Sequence, residues 1–237
     1  MEKEEIQSKL RDWSVLEPVK GEITLYWANG SIPSMKVIMV LDEKQVPYHL
    51  KRLKIMTNPK QTKLPEFLEL NPRGKTPTLV DDSGETRVVL YESLAIMSYI
   101  NQKYPNPPLI PSDIAKFGLM EMRKAESNTF LDHIDPLEYL FYKKAKRKRF
   151  VSLIDNAQRK VLYELEFLWN EYLKDKNYLA GDDFTLADCA FWPILGYLVH
   201  HGLPIDTPKL SNVRDYYLRI NERPSAKVCW PIGWEHK

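Results

Sequence analysis

Cysteine is nearly absent from this chain. Its 237 residues hold two, Cys189 and Cys229, which excludes a disulfide framework. With no secretory-type apolar segment at the start, this points to a reducing, cytosolic setting. Charge of one sign is not in excess either. Thirty-four Lys and Arg face 32 Asp and Glu, so no global basic field argues for nucleic acid or a membrane surface as partner. No window offers the ~18 consecutive apolar residues that span a bilayer. Metal-ligand spacing is missing too: His200 and His201 are adjacent, neighbours on a helix point about 100° apart, and no second pair stands at zinc spacing. Internal repeats and low-complexity tracts are absent. Apolar residues make up 43% of the chain, enough for a sizeable core in one large domain or two small ones.

What is present divides into two halves. In the first, ITLYW (23–27) reads as a short buried strand and MKVIMVLDEK (35–44) as a helix. VPYHLKRL (46–53) is extended, KLPEFLELN (63–71) is a short helix, and TPTLVDD and RVVLYE flank a DDSG turn as two strands. SLAIMSYINQKY (93–104) is a helix with Ser93 as its N-cap. The order is β-α-β-α-β-β-α. YPNPPLIPSD (104–113), with four prolines and no periodicity, reads as a linker. Beyond it nothing reads as a strand. VLYELEFLWNEYL places Val161, Leu162, Leu165, Leu168, Trp169, Tyr172 and Leu173 at i, i+3, i+4 spacing, a helix with one buried stripe. TLADCAFWPILGYLVH is more apolar still and reads as a central buried helix. The expected organisation is an N-terminal extension (1–21), an α/β domain (22–104), a linker (105–112) and an all-α domain (113–237).

The missing thiols matter most at Ser31-Ile-Pro-Ser34. This stretch sits where strand gives way to helix, the junction at which thioredoxin-type enzymes carry Cys-x-x-Cys. Both cysteine positions are serine. The two hydroxyls can cap the helix, or one can donate a hydrogen bond to a thiolate supplied by a ligand. Glu92-Ser93 also admits two readings. Ser93 caps a helix, or the positive helix N-terminus receives a ligand carboxylate while Glu92 takes an ammonium group. Lys75, and less strongly Gln61 and Lys63 in KQTK, are cationic or polar candidates for a second carboxylate. Thr185-Leu-Ala-Asp188 has capping-box spacing and is assigned to folding. KKAKRKR (143–149) is read as a solvated helix end or loop in preference to a nucleic-acid contact.

The strand and helix order, the proline linker and the helical second half resemble a cytosolic glutathione transferase. The motifs LNPRGKTPTLV (70–80), LYESLAIMSYI (90–100) and FTLADCAFWP (184–193) are similar to that family's cis-proline segment, Glu-Ser motif and capping box. YWANGSIPSMKV and RPSAKVCWPIGWEHK look most like its rho group, with theta next. The resemblance implies a thioredoxin-like N-terminal domain followed by an all-α domain, usually in a homodimer. It implies a cis Pro77, with the Thr76 backbone pairing the cysteinyl part of glutathione as an added strand would. It also implies γ-glutamyl recognition by Glu92 and Ser93, the glycyl carboxylate near Lys75, Gln61 or Lys63, and Ser31 as the catalytic serine with Ser34 second. Phe130, Tyr139, Phe141 and Tyr142 are candidates for an apolar pocket wall. Glutathione would be co-substrate, hydrophobic electrophiles the acceptors, and no metal is called for. The alternatives are glutathione-dependent peroxide reduction at the same site, or a non-catalytic binding or structural role.

Overall fold

The computed structural model describes residues 16–142 and 151–234. Most of the N-terminal segment and the whole basic run 143–149 therefore lie outside the described residues.

Strand β1 (Ile23–Trp27) is covered on both faces, and all five residues are buried. A strand of this kind must be central, covered above and below. It is flanked by β2 (His49–Arg52) in parallel and β3 (Thr78–Asp81) antiparallel, and β4 (Val88–Tyr91) completes the sheet in the order β2-β1-β3-β4. β2 is at one edge and alternates no apolar face: three of its four residues are exposed. Three helices belong to this unit: α1 (Ile32–Glu43), α2 (Pro65–Leu70) and α3 (Ser93–Lys103). This is the expected β-α-β-α-β-β-α order, a thioredoxin-like layer. Helix α1 begins three residues earlier than the apolar run implies. Pro33 sits in its first turn, where the missing N–H costs nothing, and Ser31 is the N-cap.

The second unit is helical. Helix α4 (Ile114–Tyr142) is 29 residues long. Helix α5 (Val151–Glu164) continues through a π-helical turn, Leu165–Trp169, into Asn170–Tyr172. The predicted stripe is narrower than expected. Val161, Leu165, Trp169 and Leu173 are buried, but Leu168 is exposed, because the wide turn rotates it out of the stripe. Helix α6 (Leu186–His200) is buried from Leu186 to Val199. It is the axis on which the core is built, and Trp169 stacks on its Phe191 with ring centroids 3.8 Å apart. Helices α7 (Ser211–Asn221) and α8 (Pro224–Cys229) follow. One continuous apolar core runs from α1 and α3 into α6. At its margin Arg223 makes a two-armed pair with Glu43 at the end of α1, both contacts at 2.7 Å. The prolines between α3 and α4 are tied down too, since Lys44 Nζ donates to Pro105 O at 3.3 Å and also to Pro107 O.

A helix with no polar face brings its N-terminal amides into the core, so its cap has to be supplied internally. Thr185 and Asp188 form the expected capping box. Asp188 also accepts from Leu179 N at 3.0 Å, joining the preceding loop to the cap. Burial pushes the Asp188 carboxyl up to about 6 against the hydrogen bonds that pull it down. Asp188→Ala strands three buried donors (the amides of Leu179 and Thr185 and the Thr185 hydroxyl). It is expected to cost about 2–4 kcal/mol and lower the melting temperature by roughly 5–15 °C. Calorimetry measures this. An unmoved melting curve would contradict the structural assignment.

Asp81, at the end of β3, shows the opposite shift. Burial raises its pKa, but bonds from Lys103 at 2.5 Å, Ser83 and Tyr99 outweigh it and hold the carboxyl at about 2. A depressed carboxyl stabilises the fold above its unfolded pKa of about 4 and loses that contribution as pH falls through about 2. The stability gap between wild type and Asp81→Asn should therefore be widest above pH ~5 and close on acidification. Denaturant melts at several pH values test this, and a gap that widened toward low pH would contradict it.

Candidate active site

Three loops converge at one end of the sheet. The first joins β1 to α1 and carries Ser31. Ser31 Oγ accepts from Ser34 N at 3.4 Å, from Ser34 Oγ at 3.0 Å and from Thr76 Oγ1 at 3.5 Å. A hydroxyl has two lone pairs and one proton. Three donors stand around the two lone pairs of Ser31, and its own O–H can turn to a further acceptor. Ser31 is partly exposed, whereas Ser34 is wholly buried. Of the two serines, Ser31 alone can reach a ligand without rearrangement, and Ser34 supports it from below.

The second loop, residues 71–78, is built on Asn71, a buried side chain that had no assigned role in the sequence reading. Its Nδ2 donates to Lys75 O at 2.9 Å and to Thr78 Oγ1 at 3.0 Å, while its Oδ1 accepts from Arg73 N at 3.0 Å. One amide thus holds the turn from both sides. Gly74, at φ +56°, packs so closely that a Cβ would lie 2.5 Å from Thr62 O. The Thr76–Pro77 peptide is cis, as the resemblance implies. Thr76 faces Ser31 across the gap.

The third element is the start of α3. Ser93 is its first helical residue, not the cap. Glu92 holds the cap position at φ 73°, and no side chain caps the helix. A positive φ in a non-glycine residue is held only where surroundings enforce it. Here it leaves the first amides of α3 without side-chain partners, an anion-receptive end. Arg73 Nε stands 3.8 Å from Glu92 Oε1, both side chains largely exposed, so the pair is easily opened.

Together these loops and α4 line a cleft of about 420 Å³, within the size range of small-molecule sites. Pro33, Arg73, Lys75, Thr76, Pro77, Tyr91, Glu92 and Ser93 form one wall; Asn128, Thr129, Leu131 and Asp132 of α4 form the other. Lys75, Thr76, Pro77, Glu92 and Ser93 are thus brought together, with Ser31 bonded to Thr76 at the edge. Gln61 and Lys63 are not among the lining residues. Gln61 Oε1 accepts from Lys54 N at 2.6 Å, and Lys63 Nζ donates to Arg73 O at 3.0 Å, bracing the turn from outside.

Among the proposed aromatic wall residues, Phe130 is wholly buried against Trp169 and Phe191, so it belongs to the core. The side chains of Tyr139, Phe141 and Tyr142 lie outside the described residues. A different apolar element stands near the serine turn. Asn29 donates to Ile232 O at 3.0 Å and accepts from Ile232 N at 2.8 Å. This two-way bond pins the C-terminal tail, with an exposed Ile232 and with Trp234 stacked on His200 at 4.0 Å. Among the described residues no group of acids, histidines and cysteines could hold a metal ion, and no helix is long and apolar enough to cross a membrane.

Residues 25–108 match the model of the glutathione S-transferase N-terminal domain, and residues 130–224 that of its C-terminal domain. The chain is similar to glutathione S-transferase A of Pleuronectes platessa, 30% identical over 90% of this chain and 93% of that one. It is also similar to a stringent starvation protein A homolog of Coxiella burnetii, 31% identical over 87% of this chain and 90% of that one. Among solved structures it superposes with TM-score 0.73 on the theta class glutathione S-transferase of Xanthomonas axonopodis pv. citri with glutathione bound. The two are 25% identical, covering 86% of this chain and 95% of that chain. Two matched domain models spanning most of the chain, and a curated relative that is alike nearly from end to end, establish that this chain belongs to the glutathione S-transferase family.

Proposed function

We propose that the chain is a glutathione transferase, which binds reduced glutathione in the cleft and joins its thiolate to hydrophobic electrophiles. The observation that carries the proposal is the Ser31 hydroxyl. Its oxygen lies 3.0–3.5 Å from Ser34 N, Ser34 Oγ and Thr76 Oγ1, and its O–H can turn to a sulfur placed beside the Thr76–Pro77 turn. The theta-class relative, whose structure holds glutathione, supports the choice of ligand.

In this reading Glu92 takes the γ-glutamyl ammonium, and Ser93 with the first amides of α3 takes its carboxylate. The Thr76 backbone pairs with the cysteinyl unit, and Lys75 meets the glycyl carboxylate. Ser34 has a supporting role. A free thiol has pKa ~8.5, so little of it is thiolate at neutral pH. The Ser31 O–H and the N-terminus of α1 both favour the anion. Lowering the pKa by two units takes about 2.7 kcal/mol, within reach of such fixed donors. The bound thiol then releases its proton to water. Sulfur attacks the electrophilic carbon, and the leaving group departs with its electron pair, or the π electrons shift onto a neighbouring atom. No covalent enzyme intermediate is needed, because the site works by thiol activation and proximity. The working form is a cytoplasmic homodimer, as is usual in the family.

Ultraviolet titration of the thiolate in the complex tests this together with steady-state rates on carbon electrophiles and hydroperoxides. Ser31→Ala should raise the bound thiol pKa by about 1–2 units and lower kcat/KM at neutral pH roughly 10–100-fold, with glutathione still bound. Ser34→Ala should do less. Full activity in Ser31→Ala with loss in Ser34→Ala would reverse the roles of the two serines. Ser93→Ala should raise the glutathione KM more than it lowers kcat. Turnover of hydroperoxides alone would assign peroxide reduction instead. Binding without turnover would assign a carrier, and the likeness to a protein named for stringent starvation makes that arm worth including.

A further inference from the structure

Lys36 lies two residues past Ser34 on α1. Its side chain is wholly buried. Among the described residues its ammonium meets no carboxylate, and its partner is Asn128 Oδ1 at 2.9 Å. Burying a charge without a counter-charge is costly, and burial pulls this lysine's pKa down to about 7. Nothing in the packing requires the charge, since a methionine has similar length and would be cheaper to bury.

The partner explains what the lysine does. Asn128 stands on α4, exposed, on the wall of the cleft opposite the Thr76–Pro77 turn. An ammonium has donors and no acceptor. The carbonyl oxygen of the amide faces it at 2.9 Å, the orientation that the charged form of the lysine selects. The Nδ2 donors are therefore turned away from Lys36, and among the described residues they have no acceptor. A positive charge behind the carbonyl also polarises the amide, strengthening those donors. The cleft wall thus carries an N–H donor, backed by a buried lysine, with no acceptor among the described residues.

We infer that Lys36 positions Asn128 as a specificity-determining donor for electrophiles that gather negative charge on an oxygen as sulfur attacks. The inference rests on the conjugation reading and names a substrate class within it. In an α,β-unsaturated aldehyde the thiolate adds to the β-carbon. The C–S bond forms, the C=C pair moves toward the carbonyl, and an enolate oxygen develops that later leads to protonation by water. In a nitroaryl halide the charge builds on the nitro oxygens before halide leaves with its bonding pair. Asn128 Nδ2 can donate to either oxygen, and the interaction grows as the charge does. An alkyl halide offers no such oxygen, because its charge leaves with the halide. Asn128 touches the substrate; Lys36 acts through it.

The experiment measures kcat/KM for trans-2-nonenal and for benzyl chloride, each with saturating glutathione, in wild type, Asn128→Ala, Lys36→Met and the double variant. Melting curves are run alongside. The readout is the ratio of the two constants, which a fault in glutathione binding or folding would leave unmoved. The ratio should fall roughly 10–100-fold in each single variant. It should fall little further in the double variant, because both changes break one relay. Lys36→Met should melt no lower than wild type. An unchanged ratio in Asn128→Ala overturns the inference, even if Lys36→Met does not fold. So does a ratio that moves in Asn128→Ala and stays put in a folded Lys36→Met, which would remove the lysine from the account. If wild type conjugates both probes and the variants alter only the glutathione KM, the donor serves glutathione and the inference fails while the conjugation reading stands. If wild type conjugates neither probe, both fail together.

Discussion

Three donors converge on Ser31 Oγ: the Ser34 amide and hydroxyl from its own helix turn, and the Thr76 hydroxyl from the loop opposite. The first two fix the hydroxyl to the N-terminus of α1, where the helix dipole is positive. The third ties it to the loop that carries the cis proline. A serine with this many donors around its oxygen is placed to give a proton and not to take one. That asymmetry distinguishes thiol activation from thiol exchange. It needs no protein cysteine, and both cysteines of the chain are buried in the helical unit, where burial pushes their thiols up and keeps them inert.

The surrounding architecture keeps these few atoms in register. Helix α1 is buried along most of its length and is gripped at its far end by the Glu43–Arg223 pair. The opposing loop is templated by one amide, Asn71. The wall across the cleft belongs to α4, whose position follows from its packing on α6. Asp188 anchors α6 at its start, so a residue in the helical unit supports the geometry of a cleft it never touches. Lys36 and Asn128 join α1 to α4 across the same space. The lysine that joins the two units also bonds an amide on the cleft wall.

Much of this was legible in the sequence, and what was not has physical reasons. Strand β1 was readable to its last residue because a short, mostly apolar run rich in β-branched and aromatic residues has few other uses. The capping box was readable because it is local. The start of α1 was misjudged because Pro33 looks like a turn residue when its place in a first helical turn is unknown. Ser93 reads as a cap because nothing in the local sequence says that Glu92 adopts φ 73° and holds the cap position instead. The π-helical turn at Leu165–Trp169 hides inside a pattern that reads as continuous α-helix. Asn71, Asn128 and Lys36 were passed over because their roles depend on groups brought near only by folding. Lys36 and Asn128 are 92 positions apart, and the Asn29–Ile232 clasp spans 203.

The central claim is that the sulfur of bound glutathione lies against the Ser31 hydroxyl. A crystal structure of the complex with reduced glutathione tests it most directly. The account predicts the sulfur within hydrogen-bonding reach of Ser31 Oγ, the γ-glutamyl group at the start of α3, and Ser34 still buried beneath. A tripeptide bound with its sulfur directed away from Ser31, or seated outside the cleft between the Thr76–Pro77 turn and α4, would contradict it.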